Sequence, residues 1–154
     1  MEKRKILKEL KYSLEVTALR NWAILYNVLI LGVTGFFSLM DGIDQANTHI
    51  AAGITLALTL VPLNGYYIVR FWKIFRSPEY YKFYKAKLSQ PKGGAFRDTI
   101  RFTVLLEDAE DRFVVDTHSI FRTRSFAGPL LVDYVNQIVT IAYNDLTEEV
   151  VIIG

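Results

Sequence analysis

The 154-residue chain contains no cysteine, which excludes disulfides, thiolate metal sites and cysteine nucleophiles. It has two histidines, His49 and His118, and only four prolines. Residues 22–40 and 50–69 contain no acidic, basic or histidine side chain, and the nine residues between them contain no lysine or arginine. Two apolar runs of 19 and 20 residues match the roughly 20 helical residues that cross a hydrocarbon core. A buried core helix of a soluble protein is the competing interpretation. Two such runs, each bounded by charges, in so short a chain argue against it.

The fixed charges that are present give an orientation. Lys3, Arg4, Lys5, Lys8, Lys11 and Arg20 precede the first run, and Arg70, Lys73, Arg76, Lys82, Lys85, Lys87 and Lys92 follow the second. The connecting loop offers Asp41 and Asp44. By the bias of lysine and arginine toward the cytoplasmic side, both termini are expected in the cytoplasm of a two-pass protein in the cell membrane. The charged segment of some twenty residues ahead of the first run reads as part of a retained signal anchor rather than a cleaved leader. The chain also divides by charge. Residues 1–94 carry 13 basic and 6 acidic side chains, and residues 95–154 carry 5 and 10. An anionic cytoplasmic leaflet would attract the first part by about 1 kcal/mol per nearby basic residue. The acidic second part argues against nucleic acid as a partner.

Four regions follow. Residues 1–20 read as an amphipathic juxtamembrane helix, with Ile6, Leu7, Leu10, Leu14 and Ala18 at three- and four-residue spacings; its stripe either lies in the membrane interface or packs on the tail. Residues 21–72 form the transmembrane hairpin. Asn27 and Asn64 each lie five positions from the inner end of their span, so antiparallel helices bring the amides to one depth, where a pair is worth about 0.6–2 kcal/mol. The alternative for these two is a polar site in a small transport or channel subunit. Gly53 and Ala57 form a small-x-x-x-small face suited to close helix contact. Residues 73–94 are expected to be an interfacial helix and linker. Ser77-Pro78-Glu79 reads as a helix start, the helix is predicted over 78–88, and Gln90 to Gly94 reads as a linker. Trp22, Trp72, Tyr80, Tyr81 and Tyr84 are expected at the membrane interface.

Residues 95–154 are expected to be a cytoplasmic β domain. Ile100, Phe102, Val104 and Leu106 alternate with polar residues, the period of a strand with one buried face. An acidic turn over 107–111, a return strand RFVVDT, a short strand near 119–122, a loop at Gly128-Pro129, a helical turn over 131–135, and the strands QIVTIAY and VVIIG complete the layout. The predicted architecture is membrane α+β: a two-helix transmembrane hairpin followed by a small antiparallel β-barrel or meander of SH3-like or OB-like type. The pattern Val139-x-Ile141-x-Tyr143-Asn144, a polar turn, then Val150-Val151 resembles the close of the β-rich tail in uncharacterised bacterial membrane proteins that join a helical hairpin to such a domain. The resemblance covers about the last 55 residues and the general layout, and implies no activity.

No catalytic constellation emerges. Asp116-Thr117-His118 is half a metal site at most, and a histidine paired with its neighbour is the plainer expectation. Ser13, Ser119 and Ser125 lack a nucleophile elbow, and the acidic turn lacks calcium-loop spacing. Arg122 and Arg124, with Arg101 or Arg112, form a basic spot or pair with Asp116 or Asp133. The expectation is therefore a non-enzymatic accessory protein without cofactors. Its partners are the bilayer and either a membrane protein or further copies of itself, and Ser119, Arg122 and Arg124 mark a partner surface by strand addition. A toxin-immunity protein or a small transport subunit are the alternatives.

Overall fold

The computed structural model describes residues 2–39, 45–94, 99–107, 112–121 and 131–154. Three helices come first: α1 (Glu2–Lys11), α2 (Leu14–Ser38) and α3 (Gln45–Phe75). Ser13 makes the break between α1 and α2. Its hydroxyl accepts from the Val16 N–H (3.2 Å), capping α2, and donates to the Leu10 carbonyl (2.7 Å). One side chain thereby satisfies orphan groups of both helix ends. α2 and α3 pack together, and both are long and apolar enough to cross a membrane. α3 continues through Pro62 to Phe75.

Among the described residues eight strands follow: β1 (Tyr81–Lys87), β2 (Lys92–Gly93), β3 (Thr99–Arg101), β4 (Thr103–Glu107), β5 (Arg112–Asp116), β6 (Ile120–Phe121), β7 (Ile138–Asn144) and β8 (Val150–Ile152). They form three antiparallel sheets, β1-β7-β8, β2-β3-β6 and β4-β5, and no barrel closes among the described residues. Of the expected barrel or meander, the antiparallel pairing is present and, among those residues, the closed barrel is not; small sheets instead surround a shared core. The single strand read over 99–106 divides at Phe102, which is fully buried between β3 and β4.

The interfacial helix expected over 78–88 is absent. Pro78–Tyr80 makes one 3-10 turn and the chain then enters β1. β1 pairs along its whole length with β7, from Tyr81 opposite Asn144 to Lys87 opposite Ile138. Alternating aromatic and lysine residues suit a pleated surface as well as a helix, and the ladder supplied by β7 decides between them. Residues 90–94 are likewise more than a linker, because β2 pairs with β3.

The sheet β1-β7-β8 is buried on both faces, which explains the unbroken apolar run at its end. On one face Tyr84, Ala86, Val139, Ile141, Val150 and Ile152 join Leu88, Ile100, Phe102, Val104 and Leu106. On the other, Tyr81, Ala142 and Val151 meet Leu10 of α1, Val16 of α2 and Ile74 of α3. Full burial of such side chains contributes about 1.5–3 kcal/mol each. The stripe of α1, through Ile6 and Leu10, therefore packs on the tail.

Candidate functional site: the ionic junction between helices and sheet

Where the helix ends meet the sheet, charged groups are buried. Arg70 lies on α3, Glu15 in the first turn of α2, and Glu149 just before β8; all three side chains are almost inaccessible. Arg70 donates to Glu15 (2.7 Å) and to Glu149. Glu15 uses its second oxygen to accept the Ile152 N–H (3.3 Å), and the Leu14 N–H donates to the Ile153 carbonyl (3.0 Å). The start of α2 thereby occupies the outer edge of β8, which would otherwise present unpaired backbone groups.

His118 adds the last member. Its Nε2 lies 2.6 Å from a Glu149 oxygen, while the ring remains 41% exposed at the side chain. Burial pushes the Glu149 carboxyl upward, but the His118 hydrogen bond and the Arg70 charge outweigh it and hold it down at about 2. Tyr81 sits beside the cluster, its hydroxyl donating to the Ile74 carbonyl (3.0 Å). Burial raises that phenol above its ordinary value, so it stays a neutral donor. One guanidinium thus balances two carboxylates from segments far apart in sequence. Removing one partner of such a buried set costs about 3–5 kcal/mol, because the remaining charge is left unpaired.

The turn that delivers Glu149 is built by Asn144. Its amide donates to the Ser77 carbonyl (2.8 Å), and its oxygen accepts from the Leu146 (3.0 Å) and Thr147 (3.1 Å) N–H groups. Glu148 closes the turn in the left-handed region, with φ of 55°.

No family model, curated protein or solved structure matches this chain.

The residues expected from the sequence fall in several places. Asn27 and Asn64 bond reciprocally at 3.0 and 2.9 Å, and each amide also donates to its own helix, to the Ala23 (2.7 Å) and Leu60 (2.9 Å) carbonyls. Both donors of each amide are therefore used within the pair of helices. Gly53 and Ala57 lie on an outward face of α3, and a Cβ added at Gly53 meets nothing within 4 Å. Trp22 is buried and stacked on Tyr26, with centroids 5.1 Å apart. Trp72 is exposed with Arg76 over its ring at 4.8 Å, and Tyr80 is exposed. Tyr81 and Tyr84 are buried on opposite faces of the sheet, because β1 turns alternate residues to opposite sides; they are core residues rather than interfacial ones. Ser119 is half-buried, between β5 and β6; Arg122 and Arg124 lie outside the described residues.

His118 pairs with Glu149 rather than with Asp116. Asp116 instead accepts from the Thr103 hydroxyl (2.6 Å) and lies 3.7 Å from Arg101. Arg112 bonds Glu107. Among the described residues no three His, Cys, Asp or Glu side chains converge as a metal set. A cavity of about 330 Å³ between α1 and the sheet is lined by Lys5, Ile6, Glu9, Tyr81, Phe83 and Thr140. It holds no nucleophile–base pair.

Sequence reasoning missed Glu15, Arg70 and Glu149 as a unit. The available signal was the period of the last strand. Glu149, Val151 and Ile153 alternate, so Glu149 shares the helix-facing side of the two apolar residues.

Proposed function

We propose that the chain is a two-pass membrane accessory protein without catalytic activity. Its helical hairpin sits in the cell membrane with both termini in the cytoplasm, and its sheets are held at the inner surface to engage a partner in a membrane assembly. The observation that carries this reading is the junction: Arg70, at the end of one apolar helix, clamps the start of the other helix and the last strand together. Motion or position of the helices is thereby passed directly to the sheet, with no flexible linker between them.

Three further features support it. Ile24, Val28, Leu31, Phe36, Ile54, Leu58 and Val61 are exposed along α2 and α3, an apolar surface that lipid would cover. The Asn27–Asn64 pair uses its donors internally, which favours an anchor over a solute site. Arg20, Lys73 and Arg76 lie near the sheet-side ends of the helices, where anionic headgroups would attract them.

Fractionation of the native cell, followed by mild-detergent purification of the tagged full chain and mass spectrometry, tests the reading. The expected result is recovery in the membrane fraction with a stoichiometric protein partner, which can be another copy of the chain. Recovery in the soluble fraction, or a lone monomer from the membrane, would overturn it.

A further inference from the structure

We propose that β5 is a self-complementary sheet edge through which two copies of this chain pair. The inference deepens the accessory reading by naming a partner for the sheet region. It rests on that reading only for where the two copies meet.

The edges of the sheets are treated differently. The outer edge of β8 is closed by the start of α2 through Glu15 and Leu14. β5 pairs with β4 on one side, and among the described residues no strand lies on its other side. The direction of its free groups follows from the ladder. Thr117 N–H donates to the Phe102 carbonyl (2.8 Å), one step beyond the Thr103–Asp116 pair. Hydrogen-bonded pairs alternate along an antiparallel ladder. Residues 113 and 115 therefore turn their backbone groups toward β4, whereas Arg112, Val114 and Asp116 turn theirs outward. The strand has no proline, no lysine and no bulge in its register, and its two charges, Arg112 and Asp116, are of opposite sign.

The order Arg112-Phe113-Val114-Val115-Asp116 is complementary to itself when reversed. An antiparallel copy placed about a twofold at Val114 sets Arg112 opposite Asp116 of the second copy, and Val114 opposite Val114. These are the residues whose backbone groups point outward, so each facing pair can exchange both its N–H···O bonds. Opposite charges facing across strands are favourable, and like charges unfavourable. The side chains on the exposed face match as well. Val114 is 63% exposed and sits across from Leu105, itself exposed. Pairing joins the two short apolar patches into one row of four, flanked on both sides by ionic rows. A twofold contact of this type closes on itself and gives a dimer rather than a filament.

The absence of cysteine makes the test direct. Val114→Cys gives the full chain a single thiol, placed opposite its own copy at a Cα separation of about 5.5 Å, within disulfide range. Ile138→Cys, exposed but on another strand, measures random collision. In oxidised native membranes, Val114→Cys is expected to give a band of twice the chain's mass, identified as homodimer, several-fold above Ile138→Cys. Asp116→Arg in that background sets arginines opposite each other and lowers the band a few-fold, and adding Arg112→Asp restores it. A Val114→Cys band no stronger than the Ile138→Cys band, or an adduct with a different protein, would overturn the proposal. Either result is separable from failure of the membrane reading, which fractionation of the same samples reports.

Discussion

Ile54 and Ile141 carry the same side chain into opposite settings. Ile54, on α3, is 55% exposed, whereas Ile141, on β7, is fully buried. The contrast holds across the two regions. Along α2 and α3 large apolar side chains point outward and the polar contact, Asn27 with Asn64, lies between the helices. In the sheets Phe102, Val104, Leu106, Ile141 and Ile152 are inside, while Lys85, Lys87, Glu107 and Arg112 are outside. The sheet region keeps most of its large apolar side chains inside, as a protein in water does. The helical pair exposes them along its length, the surface that lipid would cover under the proposed membrane reading. The junction of Glu15, Arg70, Glu149 and His118 lies at the boundary between the two arrangements.

The comparison breaks most severely at Arg70. Arg70→Met leaves two buried carboxylates facing each other, and a loss of about 3–5 kcal/mol is expected, read by denaturant unfolding of the detergent-solubilised chain. Hydrogen exchange should rise first over residues 149–154 and the start of α2, with the Asn27–Asn64 level of the helices unaffected. Equal loosening of both regions would show that they are not separately built.

Acid sharpens the same boundary. Glu149 is held at about 2 against an ordinary value of 4.5. A depressed folded value means that its contribution is fully present above the ordinary value and is lost as the pH falls toward the folded one. The junction is expected to weaken between about pH 4.5 and pH 2, and Glu149→Gln to be less stable at neutrality but flatter through that window. An unchanged acid profile in the variant would count against the Arg70 and His118 assignment.

Smaller effects lie within each region. Asn27→Leu strands the Asn64 amide and is expected to weaken helix pairing by about 1–2 kcal/mol, whereas the double change Asn27→Leu/Asn64→Leu should recover most of it. A thermodynamic cycle in micelles measures the difference. Glu148→Gly relieves a left-handed residue and is expected to stabilise the sheet region slightly, by at most about 1 kcal/mol, in thermal unfolding. A clear loss there would mean that the Glu148 side chain has a role beyond the turn.

Much of this layout was legible in the sequence where the governing interaction is local. The alternation of Ile100, Phe102, Val104 and Leu106 places all four inside, residues 22–38 of the first uncharged run fall within α2, and the second run falls within α3. The helix read over 78–88 failed because Ser-Pro-Glu followed by aromatics and lysines satisfies a helix start and a strand equally. The deciding partner, β7, lies more than fifty residues further along the chain. Burial of Tyr81 and Tyr84 follows from the same distant pairing. Beyond the facing of Glu149, which the period of the last strand carries, the junction was illegible for a related reason. Arg70 looks like one of many cations after an apolar run, Glu15 like the polar face of a helix, and Glu149 like part of a turn. Only the packing of three separated segments turns them into a buried set.

The most direct test of the account compares two positions that differ in surroundings but not in shape. Leu31 on α2 and Ile138 on β7 are 53% and 74% exposed, so single cysteines at either site of this cysteine-free chain would react alike in water. In membranes opened to give access to both faces, a water-soluble maleimide is expected to label Ile138→Cys and leave Leu31→Cys unlabelled until detergent or denaturant is added. Equal labelling of the two without detergent would contradict the account, because it would place α2 in water alongside the sheet.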